Sequence, residues 1–165
     1  MSGTDPRPAN ETTTTAIDDE LDRIEREITI EATVERVWQF VSEPGWYIND
    51  NAITEHRIDR DGDLSTVHDP VHGAFVFRTV KLDEPRYAAF RWLADASDPQ
   101  SESTLVEFWI TDSGSGVILK VVESGFASLS GSEADRRAKF DGNVEGWKIE
   151  LELARTHLAG NGSRA

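Results

Sequence analysis

Hydrophobic and polar residues begin to alternate at Ile24. Ile24, Ile28 and Ile30 share one parity, and Glu25, Glu27, Thr29 and Glu31 the other. This period of two predicts a strand wet on one face over about Ile24 to Ala32. The period then changes. Thr33 is a plausible N-cap, and Val34, Val37, Trp38 and Val41 fall on one stripe of a helix that ends before Pro44-Gly45. Trp46, Tyr47 and Ile48 read as a short second helix or a buried loop, closed by Asn49-Asp50-Asn51.

Strand-like sequence resumes near Ile53. It continues through Leu64 to His68, Val71 to Leu82, Tyr87 to Ala94, Thr104 to Thr111 and Val117 to Glu123. Asp61-Gly62, Asp69-Pro70, Glu84-Pro85, the Ser97 to Ser103 loop and Ser113-Gly114-Ser115-Gly116 break these segments. The breaks are short, so neighbouring strands should pair antiparallel. Ser130 and Glu133 have capping-box spacing, and Gly160 is a natural stop. Between them Phe140, Val144, Trp147, Leu151 and Leu158 form an apolar stripe, although Asp141-Gly142-Asn143 is poor helix sequence and predicts a start, kink or break.

These elements predict an α+β fold in which a curved seven-stranded antiparallel sheet wraps a long C-terminal helix, with two short helices after the first strand. One helix does not fill the concavity of such a sheet, so a cavity between the two is expected. Phe75, Phe77, Phe90, Trp92, Phe108, Phe126, Phe140 and Trp147 are its expected lining, with a packed aromatic core as the alternative. Val106, Phe108 and Ile110 mark one inner face. Trp109 falls on the opposite parity with Glu107, while Arg78 and Arg91 oppose the Phe75/Phe77 and Phe90/Trp92 faces.

Composition narrows the classes. Residues 1–22 are polar and read as a disordered tail, 23–160 as one domain and 161–165 as a short flexible end. The absence of cysteine removes disulfides, thiolate zinc sites and a cysteine nucleophile, and fits a reducing, cytoplasmic setting. No stretch is apolar enough to span a membrane. The formal charge of −14 opposes binding to nucleic acid or anionic lipid. Monomer and homodimer both fit the sequence.

Candidate chemistry is sparse. His68 and His72 flank Asp69-Pro70-Val71, but no third ligand is apparent, so two surface histidines are the simpler reading and no metal is assigned. His56 and His157 also read as surface positions. No nucleophile elbow, zinc-protease helix or phosphate loop is present, and neither a catalytic residue nor a cofactor is assigned. Glu107, Arg78, Arg91, Lys120 and Glu123 are charges within strands, of which a minority would point inward.

Four segments in order carry a family resemblance: IEREITIEATVERVW from Ile24 to Trp38, GAFVFRTVKLDEPRYAAFRW from Gly73 to Trp92, TLVEFWITDSGSGVILKVVESGF from Thr104 to Phe126, and Glu145-Gly146-Trp147. The chain resembles the activator of heat-shock-protein-90 ATPase homologue family, within the START-related SRPBCC superfamily. The resemblance implies the helix-grip fold of the major birch pollen allergen, with a deep hydrophobic cavity. Branches of the superfamily carry lipids or hormones, or act as aromatases and cyclases. The eukaryotic members that stimulate the chaperone's ATPase contact it mainly through an additional N-terminal domain, where this sequence has only a tail. The leading expectation is therefore a small hydrophobic or aromatic ligand in the cavity. A co-chaperone or protein-interaction module and a cyclase-like enzyme are the alternatives.

Overall fold

A computed structural model describes residues 22–164; of the expected tail over 1–22, all but Asp22 lies outside the described residues. The strands are β1 (Arg23–Ile30), β2 (Arg57–Asp61), β3 (Leu64–Asp69), β4 (Gly73–Asp83), β5 (Tyr87–Leu93), β6 (Ser103–Asp112) and β7 (Val117–Ser124). They form one antiparallel sheet in the order β1-β7-β6-β5-β4-β3-β2. The first strand thus crosses over to pair with the last, and every other neighbour is a hairpin partner.

Helix α1 (Val34–Val41) fills the β1 to β2 connection, and α2 (Glu133–Arg164) follows the sheet. Thr33 caps α1 by accepting from the Arg36 amide at 3.1 Å, and Val37, Trp38 and Val41 turn inward. Of the two short helices expected after β1, only α1 forms. Trp46, Tyr47 and Ile48 are a buried turn, because their side chains are drawn into the core one after another rather than along one helical stripe. Gly45 makes this turn possible. Its φ is +78°, and a Cβ there would come within 2.8 Å of Val67 Cγ2.

The long helix differs from expectation in three places. Its capping box is Ser132 with Asp135: Ser132 Oγ accepts from the Asp135 amide at 3.0 Å, and Asp135 Oδ2 accepts from the Ser132 amide at 3.1 Å. Ser130 is occupied elsewhere, donating its amide and hydroxyl to the Glu102 carboxylate at 2.9 Å each. Second, Asp141-Gly142-Asn143 does not break the helix, since Asn143 is tied to the sheet. Third, α2 continues past Gly160. A short 3-10 turn (Phe126–Ser128), which periodicity does not signal, buries Phe126 between β7 and α2.

The inner face carries Val67, Phe77, Phe90, Val106, Phe108, Ile110, Val117, Leu119 and Val121, closed by Trp147, Leu151, Ala154 and Leu158 of α2. On the outer face Trp109 pairs with Tyr87 at 5.2 Å between ring centroids and lies under Lys120 Nζ at 5.0 Å. Glu107 accepts the Tyr87 hydroxyl.

Candidate functional site

The aromatic residues assemble around one the sequence did not single out. Tyr47, on the buried turn, meets Phe77 at 5.6 Å, Trp92 at 5.3 Å, Phe108 at 5.7 Å and Trp147 at 4.8 Å between centroids. Phe75 joins through Trp92 and Phe90 through Phe108. Six of the eight expected cavity residues thus form one network through Tyr47. Phe126 and Phe140 pair with each other at 5.3 Å.

A pocket of about 90 Å³ opens beside this network at the seam between sheet and α2. Tyr47, Trp92, Asn143, Gly146, Trp147 and Glu150 line it, so Trp92 and Trp147 are the two expected residues on its wall. Phe77, Phe90, Phe108 and Phe126 are fully buried in the packed core. Helical Gly146 leaves the space vacant, for a Cβ there would meet nothing within 4 Å.

Behind the wall lies a buried carboxylate. Glu123 continues the inner parity of Val117, Leu119 and Val121, and has no solvent exposure. It accepts from Thr104 Oγ1 at 2.6 Å, Asn143 Nδ2 at 2.9 Å and Trp147 Nε1 at 2.8 Å. These bonds tie β6, β7 and α2 together and fix the Asn143 and Trp147 side chains at the pocket. Of the strand charges that the sequence singles out, Glu123 faces inward; Glu107 lies on the outer face and Arg91 is exposed, so neither supplies the inward acid or base of a cyclase-like site.

Two further ionisable residues line the pocket. The Tyr47 hydroxyl is buried without a hydrogen-bond partner among the described residues, and burial, followed by the Glu123 charge, holds it well above the ordinary tyrosine range. The Glu150 carboxyl is pushed up by burial, against the downward pull of its bond from Asn49 Nδ2 at 2.6 Å and of nearby His72. Asn49 is held in turn by the Thr54 amide and the Trp46 carbonyl.

The histidines go separate ways. His68 Nε2 meets Asp59 at 2.8 Å and His72 Nε2 meets the Asn49 carbonyl at 3.2 Å, so the two do not converge. His56 is not a surface residue: its side chain is buried, with Nε2 2.8 Å from Asp69 Oδ1. Asp69 also accepts the Val71 and His72 amides. Burial draws the Asp69 carboxyl upward, but the His72 amide, His56 and the Val71 amide together outweigh it and leave it low. His157 packs on Phe40 at 5.4 Å.

A wider groove of about 560 Å³ runs between the start of α1 and the β6–β7 hairpin. It is lined by Glu31 to Arg36 with Asp112 and Gly114 to Gly116, and holds no aromatic ring. The seam pocket is the better site, because apolar walls meet fixed polar groups there.

No family model matches the chain, and no curated protein does. Solved structures do. Protein NE0264 from Nitrosomonas europaea superposes with a TM-score of 0.59 or better, namely 0.63, at 14% identity, covering 89% of this chain and 99% of that one. The Aha1 dimer from Colwellia psychrerythraea gives 0.59 at 17% identity over 83% and 96%. MLL2253 from Mesorhizobium loti gives 0.59 at 17% over 81% and 94%. The architecture is therefore the helix-grip fold of Aha1-type proteins, as the sequence resemblance implies. Among the described residues no helix is long and apolar enough to cross a membrane.

Proposed function

We propose that the protein binds a small, largely apolar or aromatic molecule in the seam pocket between the sheet and α2. The observation that carries this reading is a pocket with aromatic walls, vacated by helical Gly146, beside which a buried tyrosine hydroxyl has no partner among the described residues. At about 90 Å³ it is smaller than the ~300–1,000 Å³ of most small-molecule sites. It therefore takes a small molecule, or the head of a larger one whose remainder lies at the open mouth.

The test is a small-molecule panel screened by NMR on the indole N–H signals of Trp92 and Trp147, with Gly146→Leu as the filled-pocket control. Binding that shifts these signals and disappears in Gly146→Leu supports the pocket. Binding unchanged by the substitution places the ligand elsewhere. A protein-docking role is the second reading, drawn from the likeness to the Aha1 dimer; stimulation of a chaperone's ATP turnover by a protein with a filled pocket would favour it.

A further inference from the structure

Within the proposed pocket, we infer that the preferred ligand carries a small organic ammonium group. This rests on the seam pocket being the binding site, and three observations specify the chemistry. The first is the set of rings. Tyr47, Trp92 and Trp147 all border the space, with Tyr47 inclined at 62° to Trp92 and 51° to Trp147. Electron-rich rings that border a small volume attract a cation by their quadrupole interaction.

The second is charge. Glu150 is the one formally charged residue of the lining, and Glu123 lies behind it, bonded to Asn143 and Trp147. Two basic side chains stand near the lining without an ion pair to Glu150. His72 points its Nε2 at the Asn49 carbonyl, and Lys139 Nζ stands 5.9 Å from the Trp92 centroid, which shows that this ring already accepts an ammonium. An incoming cation would give the half-desolvated Glu150 carboxylate a counter-charge.

The third is the hydrogen-bond inventory. Asn143 Nδ2 and Trp147 Nε1 are both directed to Glu123. Those two N–H groups are thereby turned away from the pocket, which leaves the Glu150 carboxylate and the Asn143 carbonyl oxygen to accept there and the second Asn143 N–H to donate, while the Tyr47 hydroxyl is itself buried. With a carboxylate as the one formal charge of its lining, the pocket suits a cationic head better than a carboxylate or phosphate. A head of this kind also matches the volume, about three waters' worth at ~30 Å³ each.

The experiment compares choline with its uncharged carbon isostere 3,3-dimethyl-1-butanol, and propylammonium with 1-propanol, by calorimetry and tryptophan fluorescence. The expected result is at least tenfold tighter binding of each cation than of its neutral isostere. Glu150→Gln, whose amide oxygen can still accept from Asn49, should weaken the cations about tenfold and leave the alcohols unchanged. Gly146→Leu should abolish both. If the alcohols bind as tightly as the cations, and Gly146→Leu removes them, the ammonium inference is overturned while the pocket reading stands. If none of the probes binds the wild-type protein, or binding survives Gly146→Leu, both are overturned.

Discussion

Replacing Glu123 by alanine removes the one acceptor shared by three donors at the junction of β6, β7 and α2. Asn143 borders the pocket and regains a water. The Trp147 indole N–H and the Thr104 hydroxyl are buried and do not. A buried donor left unpaired costs about 1–3 kcal/mol, so the pair costs about 2–6 kcal/mol. Release of the carboxylate from its own unfavourable burial offsets part of this, and the expected net loss is about 2–4 kcal/mol. Glutamine is the informative contrast. Its oxygen still accepts from Asn143 and Trp147, and the Thr104 hydroxyl can rotate to accept from its amide nitrogen, so Glu123→Gln should lose only about 1 kcal/mol. Urea unfolding followed by far-ultraviolet circular dichroism, with unchanged denaturant slopes, gives both numbers. An alanine variant no less stable than the glutamine variant would show that these bonds do not hold the helix to the sheet.

Three other outcomes follow from the geometry. The chain has two tyrosines, and neither should ionise at the ordinary value of 10.0: Tyr87, raised by burial and then by its bond to Glu107, is pushed up to about 12, and burial, followed by the Glu123 charge, holds Tyr47 well above 10.0. Because the folded state holds these phenolic protons more tightly, stability is full below 10 and falls as pH rises towards 12; phenolate absorbance at 295 nm developing at pH 10 in folded protein would contradict this. Gly146→Ala should stabilise the protein by about 0.5–1 kcal/mol, since it favours helix and its Cβ meets open space; a lowered melting temperature would show that the helix needs glycine there. Gly116→Ala should destabilise by about 1–3 kcal/mol or more, because the new Cβ falls 2.2 Å from the Ile30 carbonyl oxygen where β7 begins beside β1; wild-type stability in thermal unfolding would refute that close approach.

The sheet and both main helices were legible because alternation and helical stripes are local signals. The site was legible only where it shared them. Trp92 and Trp147 sit on such faces, and Glu123 is a carboxylate at an apolar position of the Val117 to Glu123 alternation, a signal that identifies it among the strand charges. Tyr47 lies in a turn, where no period marks which side chain is drawn inward. Asn143 reads as a helix weakener, and the bond to Glu123, 20 residues away in sequence, makes it the residue that docks the helix. Ser130 and Ser132 both offer capping-box spacing, and a distant Glu102 decides between them. His56 is buried by a partner 13 residues away, which local polarity does not reveal.

Native mass spectrometry of the protein purified gently from its own cells tests the binding role most directly. The seam pocket predicts a small molecule bound at one per chain, retained by the wild type and absent from Gly146→Leu prepared in the same way. Wild-type protein that emerges empty, or a ligand that the Gly146→Leu protein retains in equal amount, would contradict it.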